Sequence, residues 1–347
     1  VTGELHVGHA LTATIQDVLV RYHRLRGDPT LFLPGVDHAG IAIQYVLEKE
    51  LKKEGKTRFD LGREKFVERI WQWIEKYGEK IDHQHRRLGV SVDWTRRRFT
   101  MDKDYQESVK VAFQKLYDEG LIFRGERIVN WCPRCQTAIS DLENVHQEEK
   151  GRLYFLDYKT IQIATTRPET IFADVAIAVN PKDKRYRSLI GQKASIPLTK
   201  RRIPIIADEL VDLEFGTGAL KITPAHDELD WQIWQKHKGK IPEFPTVITT
   251  DGHLAKGNKY VPAKYWGSAT DVARKSVLED LKKSKMLTRE EKIKHSVGHC
   301  QRCDTVTEPQ VSKQWFVKMK PLAKEAIGKR GNGCSKKWEN KNYSETI

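Results

Sequence analysis

From Gly8 onward the apolar positions Leu11, Ile15, Val18, Tyr22 and Leu25 recur at helical spacing, which predicts a helix from about residue 9 to about residue 27. Asp28-Pro29 then turns the chain, and residues 30–33 are short, apolar and strand-like. A loop–helix–strand–loop order of this kind opens an α/β sheet, in which ligands sit beyond the carboxyl ends of the strands. Residues 41–120 continue as helices. Their apolar stripes are Ile43, Val46, Leu47 and Leu51, then Phe66, Ile70, Trp73, Tyr77 and Ile81, then Val109, Phe113 and Leu116. Aromatics at this spacing predict packing rather than binding platforms. Past residue 150 the texture changes to short strands at 153–156, 161–164, 175–179, 194–197 and 203–206, punctuated by Pro and Gly. That pattern predicts a compact β-barrel with peripheral helices, one of them near 271–281.

Composition narrows the class. The 347 residues are enough for two or three domains, each with its own core. Hydrophobic residues at 39% and charged residues at 31% fit a soluble globular chain. No apolar run approaches the ~20 residues of a membrane span, and the opening residues do not read as a signal peptide. The abrupt start at Val1, inside what should be a strand and loop, makes a longer parent chain the expectation. A formal charge of +14 suits a polyanionic partner, although a solvated basic surface has the same composition.

Four of the five cysteines stand in Cys-x-x-Cys pairs, Cys132 with Cys135 and Cys300 with Cys303. This argues for a metal in a reducing, cytoplasmic compartment rather than for disulfides. Two thiolates two residues apart on a tight turn can bite one tetrahedral ion, and four close a structural Zn²⁺ site with no open position for water. The pairs lie about 165 residues apart, so one shared site implies a whole domain inserted between its halves. Two unrelated reduced pairs, redox thiols, or pairing with cysteines elsewhere stay open, and Cys334 is left over.

Three further stretches carry chemistry. In His6-Val7-Gly8-His9, two imidazoles flank a glycine where a helix begins, an arrangement suited to a polyphosphate. Helix amides and dipole attract the anion, and the imidazoles donate to its oxygens. Asp37, just past a strand, is placed to hold a cationic amino group. The other two are Thr165-Thr166-Arg167-Pro168-Glu169-Thr170, leaving a strand, and the run from Gly216 to Asp230, where Gly216 and Gly218 allow close approach to a ligand. Lys221, Thr223, Asp227 and Asp230 follow within ten residues, enough for a small polar pocket or for a salt-bridged turn.

His-Val-Gly-His resembles the nucleotide-binding signature of the class I aminoacyl-tRNA synthetases. Pro34-Gly35-Val36-Asp37-His38-Ala39-Gly40-Ile41-Ala42-Ile43-Gln44 is similar to the valyl branch in particular, because isoleucyl and leucyl relatives carry Trp where Val36 stands. The likeness runs to about residue 323 and includes Asn130-Trp131-Cys132-Pro133-Arg134-Cys135, both polar clusters, and the stretch from Thr307 to Met319. It implies a partial Rossmann-like catalytic domain at 1–150 with one zinc half-site, an inserted β-barrel editing domain at 151–290, and a return at 291–347 with the second half-site. It further implies that His6, Gly8 and His9 bind ATP with Mg²⁺ and act in catalysis, and that Asp37 holds the amino group of L-valine.

The same resemblance assigns Arg167 and Thr170 to the terminal adenosine and ester of tRNA(Val). Asp230 falls on the substrate α-amino group, and Lys221, Thr223 and Asp227 on the hydroxyl of a mischarged threonine. Such an editing site answers a physical need, since a pocket shaped for valine cannot strongly reject the nearly isosteric threonine. Residues 89–94 are a regular feature of the family's catalytic domain, which makes Arg96, Arg97 and Arg98 candidates for RNA backbone contacts. A Lys-Met-Ser-Lys-Ser loop, the family's second nucleotide-binding signature, does not occur in these residues, and Lys318-Met319-Lys320 is no substitute. The expectation is therefore part of a monomeric enzyme. The alternatives are an isoleucyl relative and a zinc-ribbon RNA-binding protein without catalysis.

Overall fold

In a computed structural model of the chain, residues 3–328 are described; Cys334 and most of the Lys/Asn-rich tail lie outside them. The chain divides into two compact units. One takes it as far as Arg124 and again from Trp315, and the other runs from Gly125 to Gln314.

The first unit begins with α1 (Val7–Leu25), which ends at Arg26 and a left-handed Gly27. The strand expected at 30–33 is not there. Instead β1 (Gly35–Val36) follows, then α2 (Gly40–Lys53), α3 (Arg58–Leu61), α4 (Arg63–Leu88), β2 (Arg98–Phe99) and α5 (Lys103–Asp118). The extended run does bond through the Phe32 and Pro34 carbonyls, to the amides of Asp93 and Arg98. Pro34 has no N–H to return, so a regular ladder forms only beyond it, where β1 lies parallel to β2. Leu47, Leu51 and Phe66 form a small core between α2 and α4, as their spacing predicts.

The α1 stripe differs from its pattern. Leu11, Ile15, Val18 and Tyr22 are more than half exposed, and the helix buries Ala13 and Asp17 instead. Polar contacts set its orientation. The Asp17 carboxylate accepts from the Ser91 amide at 2.8 Å, and Arg21 and Arg24 donate to the Gly89 and Ser91 carbonyls at 2.6 and 2.9 Å. Residues 89–91 are thus tied to α1. α5 buries no residue, and Val109 is exposed, while the Phe113 ring packs edge-on against Trp315 at 5.3 Å.

In the second unit β3 (Ile122–Cys132, entering from the first) pairs antiparallel with β4 (Thr137–Ile139). The long strand β5 (Asn144–Asp157) follows, then β6 (Gln162–Thr165), a 3-10 segment at Pro168–Ala173, β7 (Ala176–Val179), β8 (Lys193–Ser195), β9 (Arg202–Ala207) and β10 (Ala219–Ile222). Two helices, α6 (Glu228–His237) and α7 (Thr270–Lys283), precede β11 (Leu287–Cys300) and β12 (Glu308–Val317), from which the chain re-enters the first unit at α8 (Met319–Gly328). The sheets run β10-β7-β9-β8, β11-β5-β6 and β12-β3-β4.

Among the described residues none of these sheets closes on itself, so the stretch expected to form a barrel is a set of open sheets. The alternation of short strands gave their positions but not their pairing. β7 lies between an antiparallel β10 and a parallel β9, leaving β8 and β10 as unjoined edges. The core between them is dense: Leu156, Tyr158, Ile163, Phe172, Ile177, Ile205 and Val247 are wholly buried. No helix among the described residues is long and apolar enough to cross a membrane.

Candidate functional site

In the first unit, His6 caps α1. Its Nδ1 accepts from the Gly8 amide at 3.1 Å, while the His9 Nδ1 accepts from the His6 amide at 3.2 Å. This is a reciprocal cap with imidazoles in place of the usual hydroxyl and carboxylate. The two rings lie 3.9 Å apart. Because each Nδ1 accepts, each neutral ring carries its proton on Nε2, which is the donor left for a ligand. Gly8 makes room for the ring, since a Cβ there would stand 3.0 Å from His6 Cε1, a contact the ring must give way to. All three residues are exposed.

Two side chains of α4 brace this turn: Gln84 accepts from the Leu5 amide at 3.0 Å, and Lys80 pairs with Glu4. Asp37 is exposed in the loop after β1 and accepts from the Ala39 amide at 3.0 Å, where Ala39 takes the left-handed conformation that starts α2. Of the basic run, Arg96 pairs with Asp93 and Arg97 with Asp82 inside the unit.

In the second unit β3 and β11 deliver the two Cys pairs to one place. Each forms the same turn: the amides of Gln136 and Asp304 donate to the Cys132 and Cys300 carbonyls, and both residues are left-handed. The four sulfurs lie within 4.8 Å of one another, with Cys303 at 3.4 Å from Cys132 and 3.6 Å from Cys135. Zn–S bonds of about 2.3 Å place tetrahedral sulfurs about 3.8 Å apart, so the donor set fits one such ion. Burial pushes the Cys132 thiol up to about 11. Burial also opposes the Cys303 thiolate, but the Thr305 hydroxyl and amide and the neighbouring thiols outweigh it and bring that group down to about 7.

The polar clusters of the same unit form two buried networks. In the first, Arg167 pairs with Glu169 at 3.3 Å and with Glu308, and donates to the His226 carbonyl at 3.2 Å. Arg274 clamps Glu169 through two bonds of 2.8 Å. Burial favours neutral Glu169, but Arg274 and Arg167 hold it below the usual carboxylate range. Thr170 is buried and donates to the Arg167 carbonyl at 2.9 Å.

The second network centres on Asp174, which the sequence did not single out. It accepts from the Tyr158 hydroxyl at 2.5 Å and the Thr223 hydroxyl at 2.7 Å, and lies 3.5 Å from Lys221 Nζ. Lys221 also donates to Thr223, whose amide donates to Asp230 at 2.7 Å. Asp230 is buried with its Oδ1 unpartnered. Burial and then the charges of Asp227 and Asp174 lift it well above the usual carboxylate range. Asp227 stays exposed and caps α6 by accepting from the Asp230 amide at 3.1 Å. Beside them burial, then Arg167 and Lys221, bring His226 down to about 3, a neutral ring whose Nε2 accepts from the Val247 amide.

The two glycines of this cluster serve packing. Both are left-handed, and a Cβ on Gly216 would meet Ala164 at 2.7 Å, one on Gly218 the Leu213 carbonyl at 2.9 Å. They let the loop close on its own unit.

A model of the family described as tRNA synthetases class I (I, L, M and V) matches residues 1–347. The chain belongs to this family. Among curated proteins, it is similar to a valine–tRNA ligase of Carboxydothermus hydrogenoformans, 54% identical over 333 residues that cover 94% of this chain and 37% of that protein. It is 52% identical over 360 residues to that of Treponema denticola, covering 98% and 39%, and 50% identical over 333 to that of Dehalococcoides mccartyi, covering 94% and 37%. The chain therefore spans a little over a third of the length of these relatives.

Within this class I synthetase chain, Asp174, Tyr158, Arg274 and Glu308 are the residues that sequence reasoning missed. Asp174 had a faint signal, a lone acid between Ala173 and Val175 in an apolar stretch. Arg274 and Glu308 had none, because each meets its partner across more than 100 residues of chain.

Proposed function

We propose that this class I chain carries the valine-activating half-site and the hydrolytic editing site of a valine–tRNA ligase. The enzyme would be cytoplasmic and monomeric, and would join L-valine to tRNA(Val) with ATP and Mg²⁺ and hydrolyse mischarged Thr-tRNA(Val). In activation, the Nε2 protons of His6 and His9 would bind the ATP phosphates, and Asp37 the valine amino group. A structural Zn²⁺ held by Cys132, Cys135, Cys300 and Cys303 would fix the ends of the inserted domain, taken as 151–290. The similarity to valine–tRNA ligases at half identity favours this branch over the isoleucyl one.

One observation carries the hydrolytic half: the unpartnered, buried Oδ1 of Asp230 beside a lysine, a threonine and an aspartate already joined by hydrogen bonds. An aminoacyl ammonium would supply the missing partner and draw the Asp230 proton off, because a neighbouring positive charge favours the carboxylate. A threonine hydroxyl would find both donors and acceptors at Lys221, Thr223 and Asp227, whereas valine has no polar group to join that network. Arg167 and Thr170 would face the terminal adenosine and ester. Water held by these groups and the ribose hydroxyl would add to the ester carbonyl; the C–O bond to the ribose breaks, releasing threonine and intact tRNA.

The test is deacylation of Thr-tRNA(Val) and Val-tRNA(Val) by the 347-residue chain, with threonine released and valine spared. Asp230→Ala should slow both esters, and Asp227→Ala should raise valine release relative to threonine. Equal rates for the two esters in the unaltered chain would overturn the reading.

A further inference from the structure

The antiparallel ladder of β5 and β11 holds an arrangement that the proposed chemistry does not use. Arg152 stands directly opposite Lys292, and two residues along, on the same face, Lys150 stands opposite Lys294. Like charges directly opposite on a ladder repel and are destabilising, and here two such pairs are adjacent. Only half of this charge is neutralised. Arg152 pairs with Glu290 at 2.6 Å and Lys294 with Glu148 at 3.1 Å, while Lys150 and Lys292 have no ion-pair partner among the described residues.

Three of these side chains, Lys150, Arg152 and Lys292, line a cavity of about 460 Å³, in the size range of small-molecule sites, whose wall also includes Thr166, Arg274 and His295. Glu149, the acid in that wall, is occupied by His299 at 2.9 Å. Thr166 lies inside the 165–170 cluster, and Arg274 is the residue that clamps its Glu169, so the cavity adjoins the proposed hydrolytic site within one unit.

We propose that this cavity binds the phosphodiester backbone of a single-stranded RNA end, with Lys150 and Lys292 as the principal phosphate contacts, guiding the terminal ester to the 165–170 cluster. It rests on the hydrolytic reading for what happens at that ester, but not for the binding itself. A strand of closely spaced negative charges is the ligand that turns the two opposed cation pairs from a cost into a gain, and it continues past the cavity to the cluster.

The experiment uses the whole 347-residue chain and a labelled eight-nucleotide single-stranded RNA ending in adenosine, titrated over a range of salt. Beside it run hydrolysis of Thr-tRNA(Val) and of a threonyl ester of adenosine that lacks upstream phosphates. The Lys150→Ala/Lys292→Ala variant should bind the RNA about tenfold more weakly at low salt. Its slope of log affinity against log salt should be shallower by about 1.4, since each phosphate contact on a single strand contributes about 0.7. KM for Thr-tRNA(Val) should rise with kcat unchanged, and hydrolysis of the adenosine ester should not change. The variant's melting temperature should be no lower than that of the unaltered chain, because repulsion has been removed, and Lys292→Glu should weaken RNA binding further.

Unchanged RNA affinity and slope in the double variant would overturn the proposal, as would equal loss of the small ester's hydrolysis. Inorganic phosphate binding there as tightly as the RNA would likewise overturn it, since the cavity would then be an anion site without preference for a strand. If the unaltered chain hydrolyses no threonyl ester while the lysine variant still loses RNA, the hydrolytic reading fails and the RNA site stands.

Discussion

The two units solve the placement of polar groups in opposite ways. In the first, the chemistry sits on the surface: His6, Gly8, His9 and Asp37 are exposed, and α1 turns the apolar stripe of Leu11, Ile15, Val18 and Tyr22 outward with them. In the second, Glu169, Asp174, Thr223 and Asp230 are nearly all out of water, set against the wholly buried Phe172 and Ile177. Three histidines make the contrast concrete. His6 and His9 are open rings whose Nδ1 atoms close a helix cap, whereas His226 is sealed in and held neutral by burial and two nearby cations. A buried polar group must find its partners inside the protein, so its removal leaves others unsatisfied, while an exposed one has water as an alternative. Substitutions in the second unit should therefore cost far more than equivalent ones in the first.

The largest effect should come from the cysteines. With Zn²⁺ bound, elemental analysis should find one ion per chain, and Cys132→Ser and Cys300→Ser should each abolish it. Structural zinc contributes on the order of 10 kcal/mol in small zinc domains, so chelation should lower the melting temperature of the second unit sharply. Full zinc occupancy in either variant would mean that the two pairs do not share an ion.

Next in size is Glu169→Gln. It strips the buried carboxylate from between Arg167 and Arg274, and breaking such a pair costs about 3–5 kcal/mol, with the lower end expected here because Arg274 keeps some solvent. The matching change in the first unit, Glu54→Gln, removes an exposed partner of Arg69 at 2.8 Å and should leave the denaturation midpoint where it was. Equal losses in urea titrations of the two variants would erase the distinction between the units.

Much of this was legible in the chain and some was not, for reasons that differ by residue. The position of α1 followed from the spacing of Leu11, Ile15 and Val18, but its orientation did not, because periodicity says which face is apolar and not whether anything covers it. The strand at 30–33 moved to 35–36 because Pro34 cannot donate. The meeting of the two Cys pairs could be read from their spacing and the change of texture between them. The pairing of the short strands could not, and the expected closed barrel gave way to open sheets for want of any signal for β7 lying parallel to β9. In the polar clusters, Lys221 and Thr223 stood out as neighbours, but Asp174, which joins them, comes 47 residues before Lys221 and reads as part of an apolar stretch.

A third effect, with a defined direction, is the pH dependence set by His226. Its folded pKa, about 3, lies below its ordinary 6.5, so the folded state prefers the neutral ring. The stability this contributes is fully present above about pH 6.5 and is lost as the pH falls toward 3, at about 1.4 kcal/mol per pH unit inside that window. Asp174 and Asp230, both lifted chiefly by burial, act in the opposite sense, stabilising at low pH and losing that contribution as the pH rises. The measurement is therefore a difference: denaturation midpoints of the unaltered chain and of His226→Gln from pH 7 to pH 4. The unaltered chain should lose more over that range, and parallel curves would mean that His226 is not held neutral by the fold.

The smallest expected effect tests the cap of α1, where two terms of similar size compete. His6→Ala removes a side-chain acceptor from outside the helix proper and gains no helix propensity, so it should cost about 1 kcal/mol of local stability. Gly8→Ala is different. The added Cβ would stand 3.0 Å from His6 Cε1 and force the ring to shift, straining its bond to the amide, but alanine favours the helix over glycine by about 1 kcal/mol. The two should nearly cancel in stability while the cap geometry is disturbed. Hydrogen exchange of the residue 8 amide separates them: in both variants it should lose protection, because the acceptor that holds it is gone or displaced. Retained protection in Gly8→Ala would mean that the His6 ring can keep its bond beside a methyl group, and that Gly8 is needed for the approach of a ligand rather than for the cap.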